Sequence, residues 1–412
     1  MNESNLYLIQ SNSKKENLQN KPLKFKILKK RKNTKLVKKT ITKEDKLKKV
    51  REPGIELVRV LAMFGIVVQH LIFFGNMERK YRQYPQIGLI SIIFFWHVSS
   101  FALISGIVGY KTNKYSSLMH LWFVVFFYSF GIFLLVRKYR PHWINKTDIL
   151  YQYCLPVIFN KFWYFTAYFG MYLFLPIINK GISNITKFEF KLLVISLISI
   201  YVIWLDIINP NMDTFHMIKG YSVLWLLIFY LTGAYIGKYR INYTGIKKVF
   251  LCLVCIILFI SSTLICYKIK YYQIITNNYY KKKILSSLKT LFSKNLSSFP
   301  MIIQSISITI FLMQLKYNKY VAKIFSFLGP LTFGVYLSHT HPLIMVNIIG
   351  NMNSKERKDE PLYKVIKWLI INGLKVSIIC LIIDYIRSLL FNILRIRKIC
   401  IFFENLIFKL FT

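Results

Sequence analysis

Three ionisable residues lie within one apolar stretch, GIELVRVLAMFGIVVQH at residues 54–70. Arg59 and His70 are eleven residues apart, and eleven helical steps of about 100° return to within roughly 20° of the starting direction. In a helix the two side chains share one face, separated by roughly 16 Å along the axis. Glu56 precedes Arg59 by three residues and can pair with it. One face thus offers a guanidinium that can bind anions and an imidazole that can accept a proton.

The next apolar stretch, IIFFWHVSSFALISGIVGY at residues 92–110, contributes further polar groups, including His97 and Ser105. Each feature also has an ordinary explanation. An arginine near a helix end can snorkel to the membrane interface, a single histidine can hydrogen-bond across helices, and small residues allow close helix packing. The shared face of the first stretch, together with these neighbouring polar groups, favours a functional site.

The elements that must position these residues are membrane-spanning helices. Of the 412 residues, 55% are hydrophobic and 17% are aromatic, and many apolar runs approach the roughly 20 residues that a helix needs to cross a bilayer. The sequence predicts an all-α fold, a polytopic integral membrane helix bundle with about ten transmembrane helices. The predicted spans lie near residues 56–75, 87–110, 117–136, 162–179, 190–209, 220–238, 248–267, 298–315, 323–349 and 367–392, with an additional short or re-entrant segment near 149–159.

The domain organisation follows from the same pattern. Residues 1–55 form a Lys-rich segment with too few large apolar residues for a core, so we expect a basic, disordered cytoplasmic tail. Residues 56–394 form the transmembrane domain, whose first span serves as its own signal anchor. Residues 395–412 form a short C-terminal tail that can lie on the membrane surface. Several basic loops do not support this orientation, so the topology rests on the tail.

The net charge of +41 raises the question of nucleic-acid binding. Compositional bias or attraction to membrane lipids explains the charge better than specific nucleic-acid recognition. The six cysteines form no framework, because Cys252 and Cys255 lie in an apolar run without a nearby histidine or second cysteine pair. No metal is expected.

Five segments, taken in order, resemble the membrane-bound acyltransferase 3 family, whose members are often O-acetyltransferases of polysaccharides. Arg59 and His70 match the R-x10-H pattern of its first transmembrane helix, and Glu56 stands where the family often has an acid. The other similar segments are FALISGIVGY, FWYFTAYFGMYLFLPIIN, GYSVLWLLIFYLTGAYIGKY and FGVYLSHTHPLI. The resemblance extends from about residue 52 to the last span.

The resemblance implies an acyltransferase that moves an acyl group, usually acetyl from acetyl-CoA, to a sugar hydroxyl in a glycan or lipid-linked precursor. By analogy with the family, His70 is the expected base, since a histidine kept neutral in a site of low dielectric suits that role; a covalent acyl-histidine stays open. Arg59, paired with Glu56, is suited to the phosphates of coenzyme A. Ser105 is a further donor-binding candidate. Where many members have an Arg-rich segment, this chain has Lys111 and Lys114, which can hold phosphate as point charges.

The acceptor-binding candidates are His97, Trp163, Tyr336 and His339. Tyr336 and His339 follow Gly329-Pro330, a dipeptide that can break a long helix and bring side chains to a cavity. Trp163 begins an aromatic run that can stack on sugar rings. An aromatic belt at the membrane interface, or ordinary hydrogen bonding between helices, would also account for these residues.

Two other functional classes stay open. A transporter or flippase of a lipid-linked sugar is the alternative, although the only plausible intramembrane acids are Glu56, Asp206 and Asp384 and no internal repeat is visible. The second open class is a receptor or anchor that uses the basic tail. The expected partners are acyl-CoA, a sugar or glycan acceptor and membrane lipids, and the expected location is the cell membrane. The sequence gives no sign of the oligomeric state.

Overall fold

The architecture is that of a helical protein, with no strand among the residues that the structure describes. A computed structural model describes residues 51–112, 114–204, 213, 215–240, 243–275, 296–353 and 360–411. The predicted tail, apart from residues 51–55, lies outside these ranges, and so does Asp206. The helices that position the site are α1 (Pro53–Phe74), α2 (Met77–Lys80), α3 (Pro85–Ile93), α4 (His97–Gly109) and α5 (Tyr115–Tyr139).

The remaining helices complete the bundle. They are α6 (Leu150–Cys154), α7 (Trp163–Asn184), α8 (Lys187–Ile198), α9 (Val223–Lys238), α10 (Gly245–Ile275), α11 (Phe299–Gln314), α12 (Lys319–Leu328), α13 (Thr332–His339), α14 (Pro342–Ile344), α15 (Leu362–Ile393) and α16 (Ile396–Phe411). Short 3-10 turns follow α5, precede α9 and join α12 to α13, and π-helical turns follow α8 and α14.

Six helical segments of the described chain are long and apolar enough to cross a membrane, so the predicted count of about ten is not confirmed. They are Pro53–Phe74, Pro85–Gly109, Tyr115–Tyr139, Gly245–Lys270, Lys319–His339 and Leu362–Ile393. The apolar helices α9 and α11 have only 16 residues each. Apolar runs therefore mark the helices well, but hydropathy does not show where each helix ends.

The run predicted as one span at 323–349 shows why the helix ends were misplaced. Its helix ends at His339, and His341 takes an extended backbone (ψ 130°) before Pro342. A residue that precedes proline is disfavoured in the α region, and proline has no N–H to continue the helical pattern. The chain turns at this point and continues only as α14 and irregular turns.

Helix α1 lies at the centre of the bundle. It packs against α4, α11, α12, α13 and α15, and its residues Val58, Ala62 and Val67 are fully buried. A helix that is apolar on nearly every side is suited to such a position. The polar residues of α1 are therefore surrounded by protein on most sides.

The α4–α9 contact brings two backbones very close together. A Cβ at Gly106 or at Gly233 would overlap the main chain of the opposite helix. Small residues permit this approach in membrane bundles. The packing explanation of the Ser105–Gly106 pair is thus correct for Gly106, and Ser105 is left on the side that faces α7.

Candidate functional site

A cavity of about 1060 Å³ runs along α1 and is lined by both Arg59 and His70. The two side chains therefore share one face, as the eleven-residue spacing predicts. The volume lies at the upper end of the range for ligand sites. The cavity walls include six of the predicted site residues: Arg59, His70, His97, Ser105, Trp163 and Tyr336.

Glu56 orients Arg59 from beside the cavity. The Arg59 Nη1 donates to both carboxylate oxygens of Glu56, at 2.8 and 3.1 Å, and Arg51 lies 3.7 Å from the same carboxylate. Glu56 itself is 3% exposed and packs against Gly329, where any Cβ would overlap its carboxylate. A buried acid that is doubly hydrogen-bonded fixes the guanidinium and reduces the cost of its burial.

His70 and His339 form a direct pair, with His70 Nδ1 and His339 Nε2 separated by 2.9 Å. His339 Nδ1 lies 2.5 Å from the Val335 carbonyl oxygen. Because a carbonyl only accepts, His339 Nδ1 carries the hydrogen, and in a neutral ring Nε2 must then accept from His70 Nδ1. This order leaves the lone pair of the His70 ring on Nε2. The cavity wall therefore carries a histidine in one fixed tautomer, with Nε2 as its basic nitrogen.

His339 is 1% exposed and does not line the cavity, whereas Tyr336, one turn earlier on α13, does. The Tyr336 ring meets Tyr164 edge-on, with ring centroids 6.1 Å apart. The Gly329–Leu331 turn joins α12 to α13, and Pro330 lines the cavity. The predicted interruption at Gly329-Pro330 is therefore a 3-10 turn that leaves the chain helical.

A second buried ion pair holds α13 from its opposite side. Arg387 donates to both oxygens of Asp384 at 2.9 Å, and the Tyr128 hydroxyl donates to Oδ1 at 2.8 Å. Asp384 is fully buried, and its carboxylate occupies the space that a side chain at Gly334 would need. One acid–arginine pair thus packs against α13 at Gly334, and the other packs against the preceding turn at Gly329. The sequence pattern that could have revealed this second pair is an acid and an arginine three residues apart in an apolar helix, the same pattern as at Glu56 and Arg59.

The donor-side candidates fall into two groups. Ser105 lines the cavity, as does Tyr168, and its hydroxyl donates to the Phe101 carbonyl at 2.9 Å. Lys111 and Lys114 are exposed and do not line the cavity. They lie in the α4–α5 connection, where the Tyr172 hydroxyl donates to the Lys114 carbonyl at 3.1 Å.

Aromatic residues cover the cavity wall near His97. Trp163 and Tyr221 pack together with ring centroids 4.4 Å apart, and both line the cavity. His97 is buried, and its ring lies 6.0 Å from that of Phe95. Tyr221 was not singled out from the sequence, although it lies in the quoted GYSVLW segment. Within the described residues, no group of three His, Cys, Asp or Glu side chains could hold a metal ion.

One known protein family matches the part of the chain that forms the cavity. The family model described as an acyltransferase domain, Acyl_transf_3, matches residues 52–382, which include α1, α13 and most of the cavity wall. No curated protein and no solved structure matches the chain. The match covers most of the sequence and confirms the resemblance seen in its motifs: the chain belongs to the acyltransferase 3 family of membrane-bound acyltransferases.

Proposed function

We propose that the protein transfers an acyl group, acetyl in the first instance, from acyl-CoA to a sugar hydroxyl in a glycan or lipid-linked precursor. The observation that supports the proposal is His70, which lines a cavity together with Arg59 and is hydrogen-bonded to His339 behind it. A basic nitrogen and an anion-binding group, held roughly 16 Å apart along one helix, suit a long donor with phosphates at one end and a thioester at the other.

The donor occupies the part of the cavity around Arg59. The guanidinium, fixed by Glu56, binds phosphate oxygens of coenzyme A. Ser105 and Tyr168 line the path from Arg59 towards His70. Lys111 and Lys114, exposed outside the cavity at the C-terminal end of α4, attract phosphates that project beyond it.

The chemical step uses His70 as a general base. His70 Nε2 takes the proton from the acceptor hydroxyl while the hydroxyl oxygen attacks the carbonyl carbon of the thioester. The carbon–sulfur bond then breaks, and the coenzyme A sulfur receives the proton from His70. His339 Nε2 accepts the Nδ1–H bond throughout and stabilises the imidazolium. We favour direct transfer over an acyl-histidine, because one cavity of about 1060 Å³ has room for parts of both substrates.

The N-terminus is proposed to be cytoplasmic, on the strength of the basic first 55 residues. Arg59 then lies towards the cytoplasm and His70 deeper in the membrane. Acyl-CoA is a cytoplasmic metabolite class, so this orientation brings the donor to the Arg59 end. The cell membrane is the proposed location.

The test uses purified protein in lipid nanodiscs, acetyl-labelled acetyl-CoA and a panel of glycan acceptors. We compare the native protein with His70→Ala and with His142→Ala, a matched control whose histidine is exposed outside the cavity. Loss of a general base should reduce transfer by a factor of about 10² to 10⁴, while His142→Ala should leave it unchanged. Full-rate label transfer by His70→Ala would sink the catalytic assignment. Uptake of unmodified glycan by the protein reconstituted in sealed vesicles, measured separately, would favour a transporter.

A further inference from the structure

The cavity continues beyond His70 to a second region at the other end of α1. Its walls there include Phe73, Asn76, Glu78 and Arg79, of which all but Glu78 are exposed. Phe74, the last residue of α1, lies fifteen residues after Arg59, which corresponds to roughly 22 Å along the axis. We call this region the far mouth; it is separated from Arg59 by fifteen of the 22 residues of α1.

The backbone of the far mouth is held in place by specific contacts. Asn76 adopts a left-handed conformation (φ 52°), which asparagine tolerates better than most residues, and turns α2 away from α1. The Asn353 side chain donates to the Gly75 carbonyl at 3.4 Å. Lys80 Nζ donates to the Asn353 carbonyl at 2.6 Å. The turn is therefore anchored at two points to the chain after α14.

Among the described residues, three cations, Arg79, Lys80 and Lys270, lie at or beside the far mouth together with one acid, Glu78. The carboxylate of Glu78 is paired with Lys270 Nζ at 2.6 Å. No ion pair joins Arg79 to a carboxylate among the described residues. Lys80 adds a second positive charge beside it. Within the described part of the chain, the exposed Arg79 guanidinium at the cavity wall therefore has no carboxylate partner and can bind an anionic ligand.

The aromatic pair Trp163–Tyr221 lies at the same end of the cavity. The Gln69 side chain on α1 donates to the Ser91 carbonyl on α3, so the end of α1 that carries His70 lies beside α3 and the start of α4. Tyr172, in contrast, reaches Lys114 beyond the opposite end of α4. Trp163 precedes Tyr172 by nine residues of α7, roughly 13 Å, and therefore lies towards the far mouth.

We infer that the far mouth is the acceptor subsite and that it takes a sugar carrying an anionic group, a carboxylate or a phosphate. Arg79 binds the anion, and the Trp163–Tyr221 pair packs against the sugar ring. The acceptor hydroxyl then points towards His70 Nε2 from the side opposite the donor. This inference rests on the proposed acyl transfer and adds to it the chemical class of the acceptor.

The experiment measures binding of three probes to the full-length protein in phosphatidylcholine nanodiscs by titration calorimetry. The probes are a tetrasaccharide of alternating glucuronic acid and N-acetylglucosamine, N-acetylglucosamine 1-phosphate, and neutral tetra-N-acetylchitotetraose. Arg79→Gln is compared with Arg82→Gln, which removes the same charge from an exposed residue that does not line the cavity. Loss of a charge-assisted hydrogen bond should weaken binding of an anionic probe about tenfold.

The expected result is that at least one anionic probe binds more tightly than the neutral one, and that only Arg79→Gln weakens it. Preference for the uronate or for the phosphate identifies the anionic group. The proposed acceptor subsite would be refuted by an equal loss of affinity in both variants, by equal affinity for all probes, or by no binding of any probe. Transfer is measured separately with His70→Ala. A selective Arg79 effect without His70-dependent transfer refutes the chemistry alone, and His70-dependent transfer without an Arg79 effect refutes the subsite alone.

Discussion

The hydrogen bond between His70 and His339 allows a quantitative test of the proposed base. His339→Leu keeps a side chain of similar size but removes the nitrogen that accepts the His70 Nδ1–H bond at 2.9 Å. In the transition state that bond stabilises a charged imidazolium, and hydrogen bonds to charged groups contribute about 1.5–3 kcal/mol. At about 1.4 kcal/mol per factor of ten, kcat should fall about 10- to 150-fold.

The assay is steady-state transfer from acetyl-CoA at varied donor concentration, with folding followed by thermal unfolding in the same nanodiscs. The KM for acetyl-CoA should stay near its native value, because His339 does not line the donor region. His339→Gln, whose amide oxygen can accept a hydrogen bond, should recover part of the lost rate.

His341→Leu is the matched control for this test. His341 is fully buried in the same segment, but its Nε2 donates to the Ser129 carbonyl at 3.1 Å and it does not line the cavity. Its replacement should reduce the stability of the fold without a selective loss of kcat. If His339→Leu and His341→Leu lower kcat equally, or if His339→Leu leaves kcat unchanged, then His339 does not position the base.

Two other predictions concern the ion pairs. Arg59→Gln should raise the KM for acetyl-CoA about tenfold or more through loss of a charge-assisted phosphate contact; unchanged coenzyme A binding in a folded variant, measured by calorimetry, would contradict that role. Asp384→Ala should lower the free energy of unfolding by about 3–5 kcal/mol, because it leaves Arg387 buried without its partner. The double variant Asp384→Ala/Arg387→Met should recover much of that loss in denaturation measurements, and equal instability of both variants would refute the explanation.

The sequence predicted the site best where the relationships are local. The shared face of Arg59 and His70 follows from helical geometry, and the Glu56–Arg59 pair from a spacing of three residues. Aromatic and polar residues in apolar helices were also good indicators, since Trp163 and Tyr336 both line the cavity. The family match over residues 52–382 confirmed the resemblance drawn from the motifs.

What could not be predicted depends on contacts between distant parts of the chain. His339 was assigned to the acceptor, and its contact with His70, 269 residues away in sequence, was not predicted. The Tyr128–Asp384 hydrogen bond joins residues 256 positions apart. Lys111 and Lys114 were assigned to the donor because they stand where many family members have an Arg-rich segment, and both lie outside the cavity lining. Such contacts are determined by how distant segments pack together, and no local sequence pattern shows that packing.

The length of the cavity has a consequence for water. Its walls run from Arg59 past His70 to the exposed residues of the far mouth, so the space beyond His70 fills with solvent whenever no acceptor is present. In the proposed mechanism, a water molecule there is itself a nucleophile that His70 would activate, and the thioester would be hydrolysed. A bound acceptor would protect the donor simply by displacing that water, so the proposed enzyme would depend on its second substrate to prevent hydrolysis of the first.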